Sequence, residues 1–307
     1  MHFVKSACND IRKHWCLYLM SAPAVIALFV FNYLPMAGLV MAFQRLDFKK
    51  GVFSSPFIGL KNFEFLFTTT DAWVITRNTI LYNVVFIILN LFFSVLLAII
   101  LSEITAKKLT KVVQTLYIMP HFLSMVVVSM VLYAFLAPTN GFVNTMIMNN
   151  GGAAINWYNE KGPWPFLLVG VYLWHTIGYS SIMYTAVISG ISTEYYEAAA
   201  LDGASKFQQA IYITIPHLRP IICINLIRSI GGMFRSDFGL FYTVPRDSGM
   251  LYPVTNTLDT YIYRGLTTLN NPGMSAAAGL YQSVVGFVLV LVANKIVSKL
   301  DEDSAMF

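Results

Sequence analysis

An all-α integral membrane protein with six transmembrane helices is the fold class this sequence predicts, on three observations. First, 57% of the 307 residues are hydrophobic and only 11% are charged, whereas a soluble domain averages about 45–50% apolar and about 25% charged. Second, six apolar runs are each long enough to cross a bilayer core, which takes roughly 20 helical residues. Third, the runs are continuous, with none of the alternation over about ten positions that marks outer-membrane strands. This composition excludes a disordered chain, a collagen-like fibre and a disulfide scaffold, and it argues against a soluble enzyme. The net charge of +5 invites a nucleic-acid reading. The basic residues, however, lie in short clusters between apolar runs and form no stripe, so no nucleic-acid partner is expected. Cys8, Cys16 and Cys223 are far apart, lack CxxC spacing and form no metal box. They read as small apolar fillers.

The first span is 15–43. Lys5, Arg12 and Lys13 precede it, and Ala22-Pro23-Ala24 looks like a signal-peptide cleavage site. Apolar sequence continues past that site to Phe43, so an uncleaved span is predicted. Spans two, three and four are 79–101, 113–136 and 166–188. The fifth, 221–244, is interrupted by Arg228, Arg235 and Asp237, and the sixth is 275–297. One membrane domain, 15–298, thus lies between an N-terminal segment, 1–14, and a tail, 299–307. The basic leader and Lys107, Lys108 and Lys111, between spans two and three, place both termini on the cytoplasmic side. The loops after spans one, three and five then face outward. They carry turn residues such as Gly51, Asn150-Gly151-Gly152 and Asn271-Pro272-Gly273.

The connection between spans four and five, 192–216, is the most informative stretch. Thr193 can cap a helix whose first turns hold Glu194 and Glu197, at the end where negative charge is favoured. Ala198, Ala199 and Ala200 are strong helix formers, and Gly203 permits a left-handed stop. A second helix can begin near Ser205. There Phe207, Ile211 and Ile215 repeat every four residues as an apolar face, until Pro216 ends or kinks it. A helix pair with small, apolar and acidic residues exposed therefore lies at the cytoplasmic side. It lacks the Lys/Arg-rich face of a helix lying on lipid. A knob that docks into a protein groove fits better.

Glu197-Ala198-Ala199, then Asp202-Gly203, then Ile213-Thr214-Ile215-Pro216 resembles the EAA motif of binding-protein-dependent ABC transporter permeases, with Ile215 where Leu is usual. Other stretches resemble the oligosaccharide and polysaccharide-fragment branch of that superfamily, the LplB-like permeases. They are Asn32-Tyr33-Leu34-Pro35-Met36, Gly59-Leu60-Lys61-Asn62-Phe63, Arg77-Asn78-Thr79, Met119-Pro120-His121-Phe122 and Asp259-Thr260-Tyr261-Ile262-Tyr263-Arg264. The resemblance implies a type I importer permease fold in a bacterial plasma membrane. It implies a second homologous permease as heterodimer partner, a cytoplasmic ATPase dimer and an extracytoplasmic solute-binding protein. It also implies that Glu197, Ala198, Ala199, Asp202, Gly203, Ile213 and Pro216 couple the chain to the ATPase. Independently of the resemblance, no GxxxxGK[ST] phosphate loop occurs. ATP and Mg²⁺ are expected on the partner ATPase, with no cofactor on this chain.

Charged groups inside a span cost about 2.5–3.5 kcal/mol each on insertion scales and are functional candidates by default. Arg228 and Arg235, seven apart, are predicted to share a face of span five, with Asn225 nearby and Asp237 and Phe238 beyond. Trp174, His175 and Tyr179 give span four a polar, aromatic stripe. Arginine, amides and aromatic rings together suit a carbohydrate path: ring faces stack, hydroxyls hydrogen-bond, and acidic groups pair with Arg. The competing reading of Arg228 is a structural tie to a backbone carbonyl or to the partner permease. His121, beside Pro120, is expected to serve a helix bend.

Two other function classes were weighed. An intramembrane serine protease at Ser180-Ser181 needs a histidine base, and the sixth span has none. An ion-coupled secondary transporter needs mid-membrane carboxylates, for which Asp237 alone is available, and leaves the 192–216 helix pair without a role.

Overall fold

The computed structural model describes residues 13–104 and 106–300. Lys5, Cys8, Arg12 and residues 301–307 of the tail lie outside them. The described chain is almost wholly helical, with one isolated antiparallel bridge between Gln44 and Phe57. Five helical runs are long and apolar enough to cross a membrane: Trp15–Phe43, Thr70–Ser102, Trp164–Ser189, Lys206–Gly231 and Pro272–Lys299. A sixth candidate is a pair of helices bent by 97°.

The first span opens as helix α1 (Trp15–Leu28), passes through a π-turn at Phe29–Tyr33 and tightens to a 3₁₀ segment at Leu34–Phe43. Its apolar side chains are open along nearly the whole length, as a lipid-facing helix requires. Only its C-terminal end is anchored. There the Asn62 side-chain amide donates to the carbonyls of Met41, Ala42 and Gln44 at 3.3, 3.0 and 2.9 Å. Asn62 thereby satisfies the orphan carbonyls that end a helix.

Helix α2 (Thr70–Ser102) starts well before residue 79, capped by Thr69, whose Oγ1 accepts from the Ala72 N–H at 3.2 Å. Span three departs from the continuous helix predicted over 113–136. Helix α3 (Lys107–Ile118) gives way to a 3₁₀ turn at Met119–Phe122, and α4 (Met125–Leu136) leaves at 97°. Pro120 supplies no N–H, and the freed groups find other partners. His175 Nε2 donates to the Leu123 carbonyl at 3.1 Å, and Ser124 recaps α4. His121 stacks flat on Tyr179 at 4.2 Å, at the bend expected for it.

A short helix, α5 (Phe142–Asn149), leads to α6 (Trp164–Ser189), which packs along α2. Gly178 makes close contact with α3 possible: a Cβ there would sit 1.9 Å from the Tyr117 carbonyl oxygen. The main apolar core gathers Tyr82 and Phe86 of α2, Trp164 and Leu168 of α6, and Leu240 and Phe241. Ser181 is buried and donates to the Gly178 carbonyl at 2.7 Å, which makes it a packing residue.

The helix pair follows as α7 (Thr193–Leu201) and α8 (Lys206–Gln209). Helix α8 runs through a π-turn at Ala210–Thr214 into α9 (Ile215–Gly231), so Pro216 does not end the helix. The cap of α7 is Ser192 rather than Thr193; Ser192 Oγ accepts from the Glu194 N–H at 3.3 Å. Span five also departs from the predicted 221–244. Its helix stops at Gly231-Gly232, residues 232–237 are mostly non-helical, and a π-turn at Gly239–Thr243 follows. Two adjacent glycines weaken the helix there. Helix α10 (Leu258–Thr267) and the last span, α11 (Pro272–Leu300), complete the fold.

The break in span five is held from outside. Asp259 Oδ2, at the start of α10, accepts from the Ser236 N–H at 2.6 Å, the Ser236 hydroxyl at 2.8 Å and Gln282 Nε2 at 3.1 Å. Gln282 of α11 also donates to the Phe234 carbonyl, and Asn83 of α2 to the Arg235 carbonyl at 3.0 Å. Non-helical backbone at membrane depth persists where protein buries and satisfies it.

Candidate functional site

Two regions carry the residues singled out by the sequence. The first is the 192–216 pair. Gly203 adopts φ +81°, with open space where a Cβ would stand, so glycine is there for its backbone angle. Ser205 and Gln208 form a reciprocal capping box that restarts the chain as α8. The inner face is tied by Tyr196 and Thr214, whose hydroxyls lie 3.0 Å apart, and by an ion pair of 2.9 Å from Lys206 to Glu103 at the end of α2. Ile213 lends its carbonyl to His217 Nδ1 at 2.7 Å.

The outer face keeps its side chains free. Leu201 is 90% exposed, Tyr212 76% and Phe207 74%. Glu197, Ala198 and Asp202 are exposed beside them, Ala199 is half-buried and Pro216 exposed. Of the apolar face predicted at Phe207, Ile211 and Ile215, Phe207 stands clear of the rest of the chain, while Ile211 and Ile215 are partly covered at 37% and 40% exposure. Large open apolar groups next to carboxylates are the composition of a docking knob.

The second region is a polar cleft of about 290 Å³ between α2, α6 and α9. Helix α2 contributes Asn83 and Asn90, α6 contributes Tyr172, Tyr179 and Tyr184, and α9 contributes Asn225, Arg228 and Ser229. Asn90 donates to the Thr176 hydroxyl at 2.8 Å, and Asn225 Nδ2 lies 3.4 Å from the Tyr184 hydroxyl. Tyr172 stacks on Phe86 at 3.8 Å, which fixes its ring as part of the wall. Arg228 is exposed to the cleft and makes no ion pair among the described residues. A cationic fork among amides, phenols and aromatic faces can hold a polyhydroxylated ligand and neutralise an acidic group on it.

Of the predicted solute residues, Asn225, Arg228 and Tyr179 line this cleft and the others do not. Trp174 lies on a different face of α6, in a groove with Tyr117 and Pro120 of span three. Arg235 and Asp237 do not share the Arg228 helix face, because the helix has already ended. Arg235 is exposed outside the cleft lining, and its carbonyl accepts from Asn83 at 3.0 Å. Asp237 Oδ1 accepts from the Leu240 N–H at 3.0 Å and caps the turn that follows. Phe238 stacks on Tyr242 at 4.8 Å and meets Tyr263 at 4.7 Å. In the Asp259–Arg264 stretch both charged ends point inward, Asp259 to the span-five break and Arg264 to Asp247 at 2.6 Å. The sequence reading missed Asn83, Asn90 and Tyr172. Their signal was present: Asn83 and Asn90 stand one heptad apart in the apolar stretch of α2 after Thr79, and Tyr172 one heptad before Tyr179.

The family model for binding-protein-dependent transport system inner membrane components matches residues 90–302. The polygalacturonan/rhamnogalacturonan transport system permease protein YteP of Bacillus subtilis (strain 168) is 35% identical over 292 residues, covering 94% of this chain and 89% of the relative. Protein LplB of the same organism is 30% identical, covering 95% and 91%. In the crystal structure of a bacterial ABC transporter involved in the import of the acidic polysaccharide alginate, one chain matches with a TM-score of 0.87 at 29% identity. That match covers 96% of this chain and 99% of that one. A structure of the bacterial alginate transporter in complex with an alginate pentasaccharide-bound periplasmic protein matches at 0.84 and 30% identity, covering 95% and 97%. The helix pair, the broken spans and these matches together mean that the chain belongs to the family of binding-protein-dependent transport system inner membrane components.

Proposed function

We propose that this chain is one transmembrane half of an ATP-driven importer for an oligosaccharide or polysaccharide fragment. The observation that carries the reading is the outer face of the 192–216 pair. It presents Leu201, Phe207 and Tyr212 beside Glu197 and Asp202, with nothing among the described residues to cover them. A cytoplasmic ATPase dimer is the partner that gives this knob a purpose. Closure of the ATPases around bound ATP and Mg²⁺ would push on α7 and α8. Because α8 runs into α9 as one helix, that push reaches the wall holding Asn225 and Arg228 without an intervening hinge loop. The chain itself supplies a path and a lever, and ATP hydrolysis belongs to the other subunit.

The solute side of the reading rests on the cleft. Arg228, the asparagines and the stacked tyrosines suit sugar rings. The relatives named for polygalacturonan and rhamnogalacturonan, and the alginate importer, favour an acidic oligosaccharide. A second, homologous permease would complete the path as a heterodimer. An extracytoplasmic solute-binding protein would supply most of the choice of sugar. Basic residues at the two ends support cytoplasmic termini in a bacterial plasma membrane. The ion-coupled alternative finds no support in Asp237, which caps a turn.

Mild-detergent affinity purification from the native membrane, with mass spectrometry of the co-purifying proteins, tests this reading. A second six-span permease and an ATPase are expected. A chain that comes alone or as a homodimer, with no ATPase under crosslinking, overturns it.

A further inference from the structure

We infer that the outer end of span five carries a second solute station, selective for a carboxylate-bearing sugar ring and centred on Arg246. The inference rests on the carbohydrate reading above. A cleft of about 460 Å³ opens between α4 and the segment that follows the span-five break. It is lined by Met130 and Tyr133 on one side and Tyr242, Thr243, Arg246 and Asp247 on the other. The Arg246 guanidinium lies 4.0 Å from the centre of the Tyr133 ring. That stacking holds the fork flat while its N–H edges stay free to meet a planar carboxylate.

The charge arrangement makes this a site for an anion. Asp247, the carboxylate nearest in sequence, is already taken: Arg264 donates to it at 2.6 Å and the Tyr252 hydroxyl at 3.1 Å. Burial pushes the Tyr158 phenol, which packs against Tyr133, up to about 12, so it offers no negative charge. Arg246 is therefore an exposed cation with no ion pair among the described residues, at the edge of a cavity large enough for a sugar ring. Arg246 and Asp247 are both held at positive φ, +58° and +49°. Side chains rarely adopt this left-handed backbone, and here it aims the neighbours apart, Asp247 toward Arg264 and Arg246 over Tyr133.

An aromatic run continues inward from the station. Tyr242 stacks on Phe238, and Tyr263 packs edge-on against Tyr242 at 5.1 Å. Phe238 follows Asp237 at the break, and the break is held by Asn83, which also lines the inner cleft. Arg246 outside and Arg228 inside thus mark two cationic stations, with an aromatic run leading from the first to the break that Asn83 ties to the second. A chain of acidic sugar rings, handed over at the outer surface, meets Arg246 first.

The test uses the complete transporter in proteoliposomes. Its probes are labelled trigalacturonate and the neutral trisaccharide obtained by reducing its carboxyl groups. Arg246→Asn is the informative variant, because Asn tolerates positive φ and leaves the turn unstrained. KM for trigalacturonate should rise about tenfold, the size of one lost charge-assisted hydrogen bond, while the neutral sugar changes less than about twofold. Arg246→Lys, which keeps the charge, should fall between wild type and Arg246→Asn. Equal losses for the two sugars, or Lys no better than Asn, would make Arg246 a packing or docking residue and overturn the inference. A wild-type complex that moves trigalacturonate, with KM unchanged in Arg246→Asn, overturns it while leaving the carbohydrate reading intact. A wild type that moves the neutral sugar but rejects trigalacturonate also overturns the inference and leaves the carbohydrate reading intact.

Discussion

The 192–216 pair and the break in span five are both interruptions of regular helix, yet they are held in opposite ways. The pair is shaped by its own sequence: Ser192 caps α7, Gly203 turns the chain at φ +81°, and Ser205 with Gln208 restarts it. Its side chains are left over for contact with something else. The break is shaped by residues remote in sequence. Asp259, Gln282 and Asn83 reach in from α10, α11 and α2 to satisfy backbone that no longer bonds within a helix. A locally specified element can be pushed as a unit. An element held by distant ties moves only when those ties move, which is the behaviour wanted of a gate between two stations.

The sharpest way to break this contrast is charge reversal on the free face. Glu197→Lys should leave the chain inserted and assembled with its partner permease, because Glu197 is exposed and makes no tie within the described chain. Uptake should fall at least about thirtyfold, the scale of 2 kcal/mol or more for a charge misplaced in an interface. Near-normal ATP-driven uptake in proteoliposomes would count against docking through α7. The matching change at the break behaves differently. Asp259→Ala orphans the donors of Ser236 and Gln282, at about 3 kcal/mol for buried hydrogen-bond partners left unmade. The expected readout is a lower Tm of the solubilised complex and a weaker yield, not a folded but uncoupled protein. If Asp259→Ala left Tm unchanged and abolished uptake, Asp259 would belong to the solute path instead.

That contrast also explains what the sequence disclosed. Six apolar runs, the glycine at 203 and the start of α8 near Ser205 were legible because each depends on residues within a few positions. The 97° bend in span three was half legible. Pro120 announced a disturbance, but its angle depends on His175 reaching the Leu123 carbonyl from another span. The end of span five at Gly231 was not legible as a break, since apolar residues resume after it and the compensating donors are on α2 and α11. Arg235 was consequently placed on the Arg228 helix face, which ends before it at Gly231. Asn225 and Arg228 precede the break and lie together on α9 in the cleft wall. The inner cleft was legible only on α6 and α9, for two asparagines in a long apolar helix announce a polar face without naming the partner they line up with.

The smallest expected effect concerns the prolines. The described residues include three π-turns, at Phe29–Tyr33, Ala210–Thr214 and Gly239–Thr243, and each is followed by one residue and then a proline: Pro35, Pro216 and Pro245. In each case the residue before the proline donates its N–H to the carbonyl five positions back, Ile215 to Ala210 in the second. A proline ring crowds the carbonyl one turn earlier and supplies no N–H of its own. Widening the preceding turn takes up that crowding, which lets α8 continue into α9 across Pro216 where a stop was predicted. Pro216 then contributes little by itself: Pro216→Ala should change stability by less than about 1 kcal/mol and leave uptake near wild type. Uptake that collapsed as in Glu197→Lys would mean that the widened turn is itself part of the lever, and that the helix must yield at Ala210–Thr214 for the push to reach Arg228.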